Sequence, residues 1–204
     1  MSKFVMFDRT NYRYFINLLL NRAEAIRSLS PDHSKYFTIL VDHMQSLSFK
    51  QDWAAVLIKD NTIITAASCG KIIQNTRTNY NYLSFDYVIN CSSEKGEGSR
   101  IVECVFRQFS EMPGFKLQNA AGIRGFLSYT RAAGRCNLHT YTINNFENNV
   151  ELTNNPLHTV LFFSKHDKPT VQNIIFPPPI FKDQHPMLPS KKALERLDKL
   201  RKTK

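Results

Sequence analysis

A chain of 204 residues, 42% hydrophobic and 22% charged, is long enough for one full core and too apolar for general disorder. Its 27 basic residues outnumber 17 acidic ones, and the net charge of +10 favours an anionic partner such as nucleic acid, a membrane surface or a polyphosphate cofactor. No apolar run approaches the ~20 residues of a membrane helix, and the first residues carry no secretory pattern, so a cytoplasmic setting is expected.

Residues 11–47 have helical texture. Tyr14, Ile16, Leu18, Leu19, Leu20, Ala23 and Ile26 supply a broad apolar stripe, and residues 28–31 break it. Asp32 or Ser34 is placed to cap a second helix carrying Phe37, Leu40, Val41, Met44 and Leu47. Two runs rich in β-branched and apolar residues, 53–58 and 62–68, then flank Lys59-Asp60-Asn61, a hairpin turn. The polar stretch 74–81 reads as a loop. Residues 83–91 form the next strand, with Phe85, Tyr87 and Ile89 on one face and Asp86, Val88 and Asn90 on the other.

After a polar, glycine-bearing loop at 92–99, helical spacing returns over 100–111, with Ile101, Cys104, Val105 and Phe109 on one side. Met112-Pro113-Gly114 stops it. An extended piece at 115–117 leads to a helix over 121–133, ended by Gly134. Strands at 136–143 and 158–164 close the body, joined by an asparagine-rich stretch at 144–155. Residues 176–180 are a proline-containing linker, and 191–202 have the spacing of a short helix. Helices interleave with strands, so the class is α/β or α+β. Two units are expected: a body at 1–170 and a linker with basic tail at 171–204. The tail holds much of the charge, since residues 188–204 carry seven basic and two acidic side chains, a net +5.

The four cysteines are widely spread, with no C-x-x-C pair, and read as free thiols. Neither they nor the six histidines show metal-ligand spacing, so no metal is expected. Cys136 and His139, three apart on an expected strand, would point to opposite faces and make a poor nucleophile and base.

The segment 82–106 carries the chemistry: a strand, the loop Ser93-Glu94-Lys95-Gly96-Glu97-Gly98-Ser99, then a helix. Gly96 and Gly98 let a ligand approach the main chain closely, and the first amides of the helix, with its dipole, favour phosphate or pyrophosphate. Lys95 and Arg100 flank the loop with full charges. No Gly-Lys-Ser/Thr ends it, as a Walker loop requires, and Ile101 stands where a dinucleotide fingerprint needs its third glycine.

This segment resembles the acyl-CoA loop of the GNAT N-acetyltransferase superfamily, where a strand leads into Gln/Arg-x-x-Gly-x-Gly/Ala and a helix. Both glycines match, Ser93 replaces the leading Gln/Arg, and Glu97 has to point away from a bound pyrophosphate. The resemblance implies a single GNAT-like domain with a mixed, mostly antiparallel sheet flanked by helices, a short first strand at 3–7, and acetyl-CoA as acyl donor. Backbone amides of Lys95, Gly96, Glu97, Gly98, Ser99 and Arg100 would hold the pyrophosphate, and an amide near Asn90 would polarise the thioester. Asn119 and Gly134 bracket the helix that carries Tyr129, the expected acid for the leaving thiolate; Asp86 is the first candidate base and Glu103 the second. The acceptor would be an amine, on a protein or a small molecule. The alternative is a non-catalytic interaction protein that uses the basic tail and the aromatic stretch near Arg77 on nucleic acid or a protein partner.

Overall fold

Alternating and helical apolar patterns become eleven elements in the computed structural model, which describes residues 2–27, 31–117, 122–143 and 160–165. In chain order they are β1 (Lys3–Met6), α1 (Tyr12–Arg27), α2 (Pro31–Gln45), β2 (Asp52–Lys59), β3 (Ile63–Asn75), β4 (Tyr80–Asn90), α3 (Glu97–Gln108), β5 (Phe115–Leu117), α4 (Gly122–Arg135), β6 (His139–Ile143) and β7 (Val160–Ser164). The described strands form one sheet in the order β1-β2-β3-β4-β5-β7-β6. Every neighbouring pair is antiparallel except β4 and β5, which run parallel with Leu83, Ser84 and Phe85 opposite Phe115, Lys116 and Leu117.

Each sheet face buries one helix pair. On the first face, Leu19 of α1 and Phe37, Leu40 and Met44 of α2 pack on Val56, Ile64, Ala67, Ile89 and Cys91. On the second, Ile101, Val102, Val105 and Phe106 of α3 and Tyr129, Ala132 and Ala133 of α4 cover Leu57, Ala66, Leu83, Phe85 and Phe163. The described part is thus one mixed sheet flanked by four helices, as expected. Among the described residues no helix is long and apolar enough to cross a membrane. Cys69, Cys91, Cys104 and Cys136 are all free thiols. The linker and basic tail at 171–204 lie outside the described residues.

Several boundaries move, for physical reasons. β3 runs on to Asn75 and β4 begins at Tyr80, so half of the expected loop at 74–81 is hairpin strand and only residues 76–79 form the turn. Ile72 and Ile73 pair with Leu83 and Tyr82, and Asn75 Oδ1 accepts from the amides of Arg77 and Thr78 to close the turn. α2 starts at Pro31, ahead of the expected caps, because proline suits the first helical turn. α3 begins one turn earlier than its apolar spacing suggests, at Glu97. α4 passes through Gly134 and stops where Asn137 takes a left-handed φ of 55°, so Cys136 lies in a turn and β6 starts only at His139.

The largest departure concerns β4. Gly70 opposes Phe85 and Cys69 opposes Tyr87, which leaves Asp86 as an extra residue without a partner on β3. This β-bulge resets the alternation: Leu83 and Phe85 face α3 and α4, whereas Tyr87 and Ile89 face α1 and α2. Phe85 therefore does not share a face with Tyr87 and Ile89. A second bulge leaves Thr65 unpaired between Ile64 and Ala66. The bulge at Asp86 is backed by Trp53, whose indole Nε1 donates to the Ser84 carbonyl at 3.1 Å. Gly70 leaves room for this contact, since a Cβ there would strike the Ser84 backbone and the Trp53 ring.

Candidate active site along the edge of β4

β4 is paired with β5 only as far as Phe85, yet it continues to Asn90. Beyond Phe85 no strand lies on that side of β4 among the described residues. The stretch from Asp86 to Asn90, roughly 13 Å at strand rise, ends in the glycine-bearing loop. One end of this edge therefore carries the bulge, and the other the N-terminus of α3.

The loop is shaped from within. Asn90 Nδ2 donates to the Glu94 carbonyl at 2.8 Å, while its Oδ1 accepts from the amide and hydroxyl of Ser92 at 3.0 and 3.1 Å. Lys59 neutralises Glu94 through a 2.9 Å ion pair, and Lys95 is exposed. Gly96 is the N-cap of α3 with a left-handed φ of 95°, and no side chain caps the helix. A Cβ on Gly96 or Gly98 would meet nothing within 4 Å, so the first turn of α3 faces open space.

Glu97 is turned away from that space. It is buried, and its Oε2 accepts from the hydroxyls of Ser2 and Thr65, the latter being the bulge residue of β3. Arg100 completes the cluster, 3.4 Å from Glu97 Oε1 and donating to the Ser2 carbonyl at 2.7 Å. Burial works to raise the Glu97 carboxyl, but the hydrogen bonds from Thr65 and Ser2 and the Arg100 charge prevail and hold it below its ordinary value. Arg100 thus steadies the helix start from behind rather than reaching into the open loop. At the same helix start, Arg135 donates to Ser99 Oγ at 2.7 Å and binds Glu103, which Arg107 also holds. Burial opposes these contacts, yet Glu103 still ends below its ordinary value, which makes it a weak base.

At the bulge, Asp86 lines a cavity of about 140 Å³ with His43 of α2, Leu47 just beyond that helix, Asp52 of β2, and Cys69 and Lys71 of β3. Burial lifts the Asp86 carboxyl above its ordinary 3.8 and Asp52 adds to this, while Lys71, His43 and a hydrogen bond with Ser84 offset only part. Tyr129 lies on the other sheet face, buried edge-on to Phe85 at 5.1 Å between ring centroids and stacked on Phe163 at 6.2 Å. Its phenol is raised well above the ordinary value by burial, with Cys69 and Asp86 adding to the effect. Tyr129 and Asp86 therefore approach the same point of β4 from opposite faces, one against Phe85 and the other just after it. Asn119 lies outside the described residues.

Sequence reasoning passed over Lys116. It sits in β5 opposite Ser84 on one side and Phe162 on the other and is only 3% exposed. The one signal for it was a lysine between Phe115 and Leu117 in a segment too apolar for an exposed strand. Thr65 and Ser2 carried no signal at all, because their partner Glu97 lies far off in sequence.

The arrangement keeps the expected order of elements: two helices between the first two strands, a long antiparallel meander, a parallel β4–β5 pair that parts at a bulge, and a glycine loop opening α3. Solved structures similar to this chain include Tetrahymena GCN5, at 10% identity over 80% of this chain and 96% of that one, with a TM-score of 0.47. A GNAT-family acetyltransferase from Staphylococcus aureus Mu50 matches at 9% identity over 81% and 100%, with a TM-score of 0.47. An aminoglycoside 6'-acetyltransferase type Ii matches at 10% identity over 82% and 99%, with a TM-score of 0.48. No protein-family model matches the chain, and no curated protein sequence does either.

Proposed function

We propose that this chain is an acyl-CoA-dependent N-acyltransferase, most simply an acetyltransferase, acting on an amine of a protein or small molecule. The observation that carries the reading is the edge of β4, with an uncapped, glycine-lined helix start at one end and a half-buried carboxyl at the other. In this reading the amides of Glu97, Gly98 and Ser99 receive the pyrophosphate, and Lys95 adds charge from the loop. The pantetheine arm runs along β4 past Asn90 towards the bulge. Asp86, with its raised carboxyl, takes the proton of an ammonium acceptor, and Tyr129 gives one to the departing thiolate. Residues 1–170 would then be the catalytic unit and 171–204 an appended linker and tail, in a cytoplasmic protein.

The test is a thermal-shift titration with acetyl-CoA, with free CoA and ATP as controls. A ligand that binds only the native state raises the melting temperature by mass action. Both CoA compounds are expected to raise it, ATP less, and Gly98→Asp to abolish the shift while leaving the unliganded melt nearly unchanged, since the new side chain meets open space. No shift at millimolar acetyl-CoA would reduce the loop to a turn. Attention would then move to a binding role for the basic tail.

A further inference from the structure

The proposed mechanism leaves a buried lysine beside the parting of β4 and β5 unused. Lys116 is on the central part of the sheet, beside Ser84 across the parallel pair and beside Phe162 across the antiparallel one. Its Nζ lies 5.9 Å from the Tyr82 ring centroid. Tyr82 and Asp86 occupy positions two before and two after Ser84, so they are the two diagonal neighbours of Lys116 along β4. The Asp86 charge acts on Lys116 across the sheet, as the Tyr82 ring does from the other side. The four-carbon stem can therefore aim the amine at the Tyr82 ring or at the bulge where β4 and β5 part.

The protonation state selects between the two. A charged ammonium is held by the face of the Tyr82 ring. Burial lowers the Lys116 value to about 8, with Asp86 opposing the change, so a good fraction of the side chain is neutral in mildly basic solution. A neutral amine has no such attraction to the ring and is a nucleophile. Among the described residues, titratable groups near it include Tyr82 and, through the shared aromatic cluster, Tyr80 and Tyr141. Asp86 in turn faces His43, Asp52 and Lys71.

Resting on the acyl-CoA reading, we propose that Lys116 is itself an acyl acceptor, so that the protein acylates its own core lysine. The amine nitrogen attacks the thioester carbonyl, an N–C bond forms and the C–S bond breaks. The proton released from nitrogen passes to the departing thiolate, leaving free CoA thiol and an amide on Lys116. The product no longer titrates, and Asp86 loses a cationic neighbour. Self-acylation is thus a covalent change of state at the bulge rather than a step in turnover.

The experiment incubates the wild-type protein with acetyl-CoA between about pH 6 and pH 9 and follows acetylation of each lysine by peptide mass mapping. Binding is read on the same samples by thermal shift. Lys116 is expected to be labelled faster than the exposed Lys50 and Lys165, to one acetyl group per chain. Its rate should rise roughly tenfold per pH unit up to about 8 and then level. Gly98→Asp should remove this labelling without changing that of exposed lysines. If acetyl-CoA binds but Lys116 is labelled no faster than Lys50 and Lys165, self-acylation is wrong and the transferase reading stands. If acetyl-CoA does not bind at all, both fall together.

Discussion

Replacing Lys116 with methionine should stabilise the protein at neutral pH, although it removes a charge from a buried cluster. Methionine keeps the length and apolar stem of lysine but no titrating group. Burial lowers Lys116 from 10.5 to about 8. A folded value below the unfolded one means that stability from this group is full above 10.5 and is lost as pH falls through about 8. The gap of about 2.5 units is worth roughly 3 kcal/mol. The Tyr82 ring favours the charged form by about 0.5–1 kcal/mol, which leaves roughly 2 kcal/mol in favour of the variant at pH 7. Urea unfolding of both proteins at about pH 6.5, 8 and 10 measures this directly. The difference should be largest at the lowest of these and shrink towards zero at the highest. A constant difference across the series, or a less stable variant at pH 6.5, would show that the buried ammonium is not the source of the cost.

Asp86→Asn tests the other member of the cluster. Because burial raises this carboxyl, the variant should be more stable than wild type at pH 7, and the two should converge as pH falls below 3.8. With an amine acceptor in hand, its kcat should fall by about 10²–10⁴, and the wild-type rate should rise with pH as the carboxyl ionises. Glu97→Gln should have the opposite stability profile, since this carboxyl is held low. The loss should be about 1–3 kcal/mol at pH 7 and should vanish as pH falls below 4.5, read by denaturant unfolding. Gly96→Ala should destabilise by about 1–2 kcal/mol because of its left-handed backbone, whereas Gly98→Ala should be neutral or stabilising in calorimetry.

The sequence showed the order of elements because that order rests on local periodicity. Leu40 and Met44, or Ile101 and Val105, fall on one helix face whatever packs against them. The glycine loop was equally legible, since Gly96 and Gly98 announce an unusual backbone by composition alone. The bulges were not. An extra residue in a strand is invisible to a rule of strict alternation, so Asp86 was expected opposite Phe85 in facing, with no hint that the strand would be reset there. The length of β3 was hidden for a related reason: Gln74 and Asn75 are polar, yet cross-strand pairing with Asn81 and Tyr80 needs only backbone. Asp86 and Tyr129 were singled out through a family pattern, while Lys116, His43 and Trp53, which complete their surroundings, come together only through strand pairing and helix packing.

Trp53, the single tryptophan of the chain, stands behind the bulge with its indole hydrogen-bonded to Ser84 and its ring edge-on to Phe85 at 5.1 Å. The molecule thereby carries a built-in optical gauge at the point where the parallel strands part. Its fluorescence spectrum and lifetime follow that bond and the ring contacts with Phe85 and Phe109, uncontaminated by any second indole. Occupancy of the β4 edge, loss of the bulge and unfolding should each leave a different spectral trace, all without a label.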